Sequence, residues 1–245
     1  MFKGKNLRGA NFSNSTIRVA NFTSAVLRGA NFQGATLKQA NLTSADLQGA
    51  NFEQANLLFA VLQLANLQQA KLQQATLQST NFKQADLQGA NLQNVKLSYA
   101  NLQQAILQEA ALQYADLQQA NLAEATLQRA DLQSANLYKA NCREANFQRT
   151  NLNQANFQEA NLQKANLQSA NVTEANLQKA NLQKANLQGA DLSTSNLSQA
   201  NLAGANLQGT NLQLVKLQSA NLQGADFQNA DLQSANLAFV KSQDS

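Results

Sequence analysis

Apolar residues recur every five positions along the chain, and the most regular stretch, residues 160–188, repeats the phrase Ala-Asn-Leu-Gln-Lys with few changes. A five-residue step rotates about 140° around an α-helix, so it makes no apolar stripe there. Along a flat strand the same odd step alternates between the two faces. Within one unit, however, Ala165 and Leu167 are two residues apart, so an extended segment places them on one side and Asn166 on the other. Gln168 and Ser169 are left to turn the chain.

A right-angle turn after each unit closes one coil after four units, or twenty residues. Both apolar residues of every unit then face the axis, and successive coils stack at the strand spacing of about 4.8 Å. We call the five places in a unit the small, outward, central, first corner and second corner positions, in the order of Ala165 to Ser169. The pattern therefore predicts an all-β solenoid with four walls.

The central position runs from Phe2 to Leu237 in one unbroken phase of 48 units. It holds Leu or Phe everywhere except at Ile17, Cys142 and Val172. Because each coil of a repeat protein contacts mainly its neighbours, such a chain can lengthen without a larger core. We predict a single domain over residues 1–237, made of about twelve coils, followed by a C-terminal tail over residues 238–245.

The tandem pattern A(N/D)LXX resembles the pentapeptide-repeat family. This resemblance implies a right-handed quadrilateral parallel β-helix. The right hand comes from the resemblance alone, since neither composition nor spacing establishes it.

The corner positions carry a second pattern, because all ten glycines occupy the second corner position. A type II turn needs a positive φ at this place, which glycine supplies at little cost. We therefore expect type II turns at glycine and type I turns at the many Gln, Lys and Glu corners, which gives mixed corners. The outward Asn or Asp is expected to bond to nearby backbone and so to fix the turn.

The chemistry available to the chain is limited. It has no histidine, so the usual general base and metal ligand is missing. Cys142 stands at a central position, where we expect a buried core residue rather than a reactive thiol. Half of the acids occupy outward positions, and no glycine-rich phosphate loop is present. We expect no enzyme, no cofactor, no metal site and no small-molecule substrate.

No signal for membrane insertion or secretion is visible. A transmembrane helix needs about 18 or more consecutive apolar residues, and no such run occurs. The first residues already follow the repeat and contain no apolar segment typical of a secretory signal. We expect a cytoplasmic protein without membrane contact.

Positive charge is concentrated near the start of a chain whose net charge is +4. The basic residues that precede the first acid, Asp46, form a candidate basic patch: Lys3, Lys5, Arg8, Arg18, Arg28 and Lys38. Such a patch could contact nucleic acid or an acidic protein. The alternative, which we favour, is a solvated end whose charge discourages edge pairing. Nucleic acid is therefore not the expected partner.

Large apolar side chains at positions that should face solvent form a candidate protein-contact patch. The patch consists of Leu58, Phe59, Val61, Leu64, Tyr99 and Tyr114. Val61 replaces the usual outward Asn, and the other five are corner residues. The alternative is that these side chains pack only on one another, and the sequence does not decide between the two.

The ends of an open β-helix expose unpaired edges. Either the tail folds over the C-terminal end or one end pairs with another copy, and we favour an end-to-end homodimer.

The favoured function is a rigid, non-enzymatic scaffold that binds an unidentified protein, with a regulatory role as one form of it. The first alternative comes from the resemblance, because some family members modulate DNA gyrase by imitating duplex DNA. The net charge of +4 argues against this alternative. The second alternative is a purely structural or surface-ordering rod. A regular threonine row would support it, but the row of Thr16, Thr36 and Thr76 is interrupted by Asn56.

Overall fold

The computed structural model describes residues 2–242, and its regular structure consists of four parallel ladders of β-bridges. Each bridge joins two outward positions that are twenty residues apart. The ladders run from Asn6 to Asp226, from Asn11 to Asp231, from Thr16 to Asn236 and from Asn21 to Lys241. Within residues 2–242 no helix forms, and each strand is reduced to a single bridging residue. The twenty-residue spacing agrees with the predicted coil.

The wall of each unit is held by backbone bonds to both neighbouring coils. The N–H of Leu167 donates to the carbonyl of Asn186 at 2.7 Å, and the N–H of Asn186 donates back to Ala165 at 2.9 Å. The turn is closed by the N–H of Ala170, which donates to the carbonyl of Leu167 at 3.0 Å. A wall is therefore only three residues long before the chain turns.

The prediction of mixed corners is wrong. Every second corner position from Gly4 to Phe239 has a φ between 53° and 68°, whether or not it holds glycine. Among the described residues, no first corner position has a positive φ. This combination is the sign pattern of a type II turn, so one class of turn serves all these corners.

The reason lies in the peptide at the middle of each corner. The N–H of Ser169 donates to the carbonyl of Gln188 in the next coil, and the carbonyl of Gln168 accepts from Arg149 in the previous coil, both at 3.0 Å. A type I turn would flip this peptide by about 180° and would break both bonds. Stacking therefore decides the turn type, and glycine only lowers the cost of the left-handed conformation.

The axis of the coil is filled by the small and central positions. Ala and Leu side chains here are at most 2% exposed from Phe22 to Ala220. Phenylalanine rings twenty residues apart form ladders: those of Phe12 and Phe32 stack with centroids 4.9 Å apart, and those of Phe2 and Phe22 stack at 4.7 Å. Polar residues at small positions bond inside the axis, as where the Thr80 hydroxyl donates to the carbonyl of Leu57 at 3.0 Å.

Both ends of the described coil leave part of the apolar axis in contact with solvent. Phe2 is half-buried at one end, and Leu237 is 40% exposed at the other. Lys241 still bridges Asn221, so one ladder continues past the predicted boundary at residue 237. Residues 243–245 of the predicted tail, and Met1, lie outside the described residues. The end-to-end homodimer and the right hand of the coil stay predictions.

Candidate interaction surface

The second corner N–H groups along the Phe59 corner of the rod are already hydrogen-bonded. At one corner the N–H groups of Val19, Gln39 and Phe59 donate to the carbonyls of Lys38, Leu58 and Gln78, at 2.9, 3.0 and 3.2 Å. An added strand therefore finds no free N–H at these second corner positions. Recognition at this corner relies mainly on side chains.

Residues that occupy the same corner in successive coils form a column with a step of twenty residues. The column of residues 19, 39, 59, 79 and 99, with the first corner residue that precedes each, we call the Phe59 column. It carries three exposed large apolar residues, since Val19 is 69%, Phe59 53% and Tyr99 56% exposed. Corners elsewhere mostly hold small, polar or charged residues. The Phe59 column therefore presents large apolar side chains on a rod whose surface is otherwise mostly polar.

A shallow groove of about 240 Å³ lies on this column. Its lining residues are Arg18, Lys38, Gln39, Leu58 and Phe59. Two members of the predicted basic patch thus lie beside two members of the predicted apolar patch. The two patches are separate patterns in the sequence, and the structure joins part of each in one site.

The rest of the predicted apolar patch is only partly brought together. Leu64 is 52% exposed at the next corner along the chain from Phe59, and the half-buried Val61 lies on the wall between them. Tyr99 lies two coils from Phe59 in the same column. Tyr114, which is 60% exposed, lies on a different corner column from both Phe59 and Leu64. We call Leu58, Phe59, Val61 and Leu64 the apolar stripe.

The other members of the predicted basic patch do not join the groove. Lys3, Lys5 and Arg8 are exposed in the first coil, away from the Phe59 column. Arg28 lies in the column of Arg8 and forms an ion pair with Asp46. Arg18 and Lys38 form no ion pair with any residue that the structure describes. The N-terminal charge therefore surrounds the rod, and Arg18 and Lys38 are the members of the basic patch that line the groove with Leu58 and Phe59.

Sequence reasoning missed two features of the exposed surface. Val19 is not a member of the predicted apolar patch, but its spacing of forty residues from Phe59 puts it in the same column. Ile106 is 39% exposed at an outward position, and the signal was an Ile in place of Asn or Asp. Its rung neighbours are Asp86 and Thr126, so it forms no apolar cluster along its ladder.

The acids at outward positions act as turn acceptors, as predicted. Asp131 shows the arrangement: its Oδ1 accepts from the N–H of Gln133 at 3.1 Å and from the Asn151 side-chain amide at 2.9 Å. The other outward acids, Asp46, Asp86, Asp116, Asp191, Asp226 and Asp231, likewise accept from the N–H two residues later. Their oxygens therefore serve the turns.

The remaining candidate for a reactive side chain, the thiol of Cys142, is buried. Cys142 is fully buried at the axis, and burial raises the pKa of its thiol far above the ordinary value. Within residues 2–242, His, Cys, Asp and Glu form no group of three or more that could hold a metal ion. The same part of the chain contains no helix with the length and apolar character that a membrane crossing requires.

The family model described as pentapeptide repeats matches the chain in 8 copies, over residues 6–43, 20–57, 40–78, 140–178, 175–213 and 211–241. A second model, described as a pentapeptide repeat region, matches residues 62–137 and 89–157. The two models together cover every residue from 6 to 241. Comparison with curated protein sequences gives no match.

One similar solved structure is that of HetL from the cyanobacterium Nostoc sp. strain PCC 7120. HetL is a pentapeptide repeat protein involved in heterocyst differentiation regulation, and it is 34% identical to this chain. The alignment covers 93% of this chain and 91% of HetL, with a TM-score of 0.46. QnrB1, a plasmid-mediated fluoroquinolone resistance protein, is 15% identical, with 94% and 92% covered and a TM-score of 0.33. Rfr23 from the cyanobacterium Cyanothece 51142 is 32% identical, with 48% and 60% covered and a TM-score of 0.23. These TM-scores are low, so the description of the fold rests on this chain's own ladders.

Proposed function

The chain belongs to the pentapeptide-repeat family, and from that premise we propose that it is a rigid, non-enzymatic scaffold that binds another protein through the apolar stripe. The observation that carries this proposal is the exposure of Phe59 and Leu64, at 53% and 52%. Clustered apolar exposure on an otherwise polar surface is typical of a contact site.

The backbone of these residues strengthens the argument. Phe59 and Leu64 have φ values of 61° and 59°, a conformation that is unfavourable for bulky side chains. At the same position most other units hold glycine or a polar residue. The fold therefore gains nothing visible from a large apolar residue here, whereas a bound partner would cover it.

The absence of enzymatic activity is part of the proposal. The chain has no histidine, its cysteine is buried, and its outward acids serve the turns. DNA mimicry lacks a comparable supporting observation. Although each ladder is a continuous row, no two successive rungs of any ladder both hold Asp in the described chain, so no acidic stripe follows a wall.

The test is a pull-down from the source cell lysate with the wild type and the double variant Phe59→Gln/Leu64→Gln. We expect a protein that the wild type recovers and the double variant loses. Leu214→Gln is the matched control, because Leu214 is 58% exposed with a φ of 57° on another corner column. Recovery of the same proteins by the wild type and the double variant would contradict the proposal, provided that both give the same circular dichroism spectrum.

A further inference from the structure

We propose that the segment bound at the Phe59 column is an acidic peptide that carries an apolar side chain, with its carboxylates at Arg18 and Lys38 and its apolar group at Leu58 and Phe59. This inference rests on the proposed function and gives the chemistry of the partner. The four residues named line one groove, together with Gln39.

The first argument is that the two cations are uncompensated. Several cations at second corner positions elsewhere in the rod have an acid one coil away in their own column, although Arg149 and Lys184 do not. Ion pairs of this kind join Lys139 to Glu159 at 3.4 Å, Lys164 to Glu144 at 3.2 Å and Arg129 to Glu109 at 3.6 Å.

Arg18 has no such partner. The next residue in its column is Lys38, one coil or about 4.8 Å away, and the residue after that is Leu58. Two like charges at this spacing repel each other, and a carboxylate from a partner would relieve that repulsion. The local charge therefore favours an anionic ligand.

The second argument is the order of the residues along the groove. Arg18, Lys38 and Leu58 occupy the same first corner position in three successive coils, and Phe59 follows Leu58. The distance from Arg18 to Leu58 is two coil spacings, or about 10 Å, and an extended peptide covers it in about three residues. In an extended peptide, residues two apart share a face. An acid two positions from an apolar residue therefore reaches Lys38 from the face that meets the apolar pair, and an acid three positions away matches the distance to Arg18.

The third argument concerns the strength and kind of binding. Because the second corner N–H groups of the column are bonded within the rod, a peptide cannot pair with them as an extra strand, and side chains supply the contact. Arg18 is exposed and Lys38 is half-buried, so salt should screen the charged part of the interaction. Nucleic acid would meet the cations through its phosphates, but half of the groove is apolar, and this composition favours a peptide.

The experiment selects random peptides of about ten residues, displayed on phage, against the immobilised full chain; at about 3.3 Å per residue they are long enough to span the groove. Enriched peptides are then labelled, and their affinity is measured by fluorescence anisotropy. We expect enrichment of peptides with Asp or Glu two or three positions from Leu, Ile, Phe or Trp. Arg18→Gln/Lys38→Gln should weaken their binding at least about tenfold, as should Phe59→Ser.

The control Lys164→Gln/Lys184→Gln removes the same charge from two lysines one coil apart in another column, and it should change the affinity less than about twofold. The inference is overturned if no peptide is enriched, if enriched peptides lack acids, if both double variants weaken binding equally, or if a single-stranded oligonucleotide competes as well as free peptide. Peptides that need Phe59 but not Arg18 and Lys38 would refute the acidic partner and leave the proposed function standing. The proposed function fails separately, in the pull-down.

Discussion

Arg28 forms an ion pair with Asp46 through its Nε atom and the Oδ2 atom of the carboxylate, eighteen residues further along the chain. Gln68 makes the same kind of contact with Asp86, where its Nε2 donates to Oδ2 at 2.7 Å. In both cases a first corner side chain reaches an outward carboxylate in the next coil. Among the basic residues near the start of the chain, Arg28 is therefore engaged within the rod, whereas Arg18 and Lys38 are not.

This contact gives a prediction for the basic residues. Arg28→Gln should change the free energy of unfolding by less than about 1 kcal/mol, because the pair is solvent-exposed and Gln can keep the contact seen at Gln68. It should also leave the affinity for acidic peptides unchanged, whereas Arg18→Gln should lower it. Anisotropy titrations of the two single variants check both statements, and equal loss in the two variants would contradict them.

Glycine substitutions at two neighbouring corner residues should change the stability of the coil in opposite directions. Lys179 has a φ of 59°, so Lys179→Gly should stabilise its coil by about 1 kcal/mol. Gln178→Gly, at the preceding position without a positive φ, should destabilise it by about 0.5 to 1 kcal/mol through the unfolded chain. Gly49→Ala should cost about 1 kcal/mol, since a Cβ there meets no atom within 4 Å and only the φ of 65° opposes it.

Hydrogen exchange of the surrounding amides is the appropriate measurement, because a repeat rod can open coil by coil. Slower exchange in Lys179→Gly and faster exchange in Gln178→Gly and Gly49→Ala are expected. The same sign for Lys179→Gly and Gln178→Gly would show that the left-handed conformation carries no cost at these corners.

The axis gives a prediction that depends on position along the rod. Leu167 is fully buried, so Leu167→Ala should cost about 2 to 5 kcal/mol, from lost burial and the cavity that remains. Leu237 is 40% exposed, and Leu237→Ala should cost less than half as much. The midpoints of urea unfolding, followed by circular dichroism, test the difference. Equal shifts would mean that the terminal coil is as well packed as the middle of the rod.

The acids near the C-terminal end give a prediction for pH. The Gln213 side chain, which donates at 2.6 Å, and the N–H of Gln233 hold the pKa of Asp231 below its ordinary value. The N–H of Gln228 and the Gln208 side chain do the same for Asp226. A lowered folded-state pKa means that the stabilisation is complete above the unfolded-state pKa of about 3.9. It is lost as the pH falls through the folded-state pKa.

Asp226→Asn/Asp231→Asn should therefore reduce the acid sensitivity of the terminal coil, while stability near neutral pH falls or stays the same. Urea unfolding between about pH 2 and pH 7 measures this, because that range spans the ordinary pKa of Asp. If the double variant loses stability with acid as steeply as the wild type, the lowered pKa values of these two residues do not contribute.

The coil could be predicted from the sequence because each five-residue unit shows both which residues face the axis and where the chain turns. Ala165 and Leu167 define the inward face, and the two residues that follow leave room only for a turn. The type of turn could not be read in the same way. Gly49 marks a corner with a positive φ, but Lys179 adopts the same φ, because the stacked peptide decides the conformation and residue preference does not.

The exposed apolar residues of the candidate site could be predicted from the sequence, but the groove could not. The exposure of Phe59 and Leu64 follows from their corner positions in an unbroken phase. The groove was missed because charge and apolarity were considered as two patterns, although Arg18, Lys38 and Leu58 differ by steps of one coil. The depth of a groove also depends on how neighbouring side chains fill the space between coils, which periodicity alone does not describe.

The stacked corner peptides give the rod an electric polarity. In each unit, the central and second corner N–H groups point toward the next coil and the outward N–H group points back, as at Leu167, Ser169 and Asn186. Of three axial peptides, two therefore point their positive end toward the C terminus. The net dipole has the opposite sense to that of an α-helix, with a partial charge on the order of half an elementary charge at each end.

The charged side chains match this field. Lys3, Arg8 and Arg18 surround the end where carbonyl groups predominate, and in the last described coil, where N–H groups predominate, Asp226 and Asp231 outnumber Lys241. Since opposite charges stabilise the ends of aligned peptides, the sequence neutralises a dipole that its own backbone creates. An ion that approaches the rod therefore meets a different potential at each end, even where the walls between them look alike.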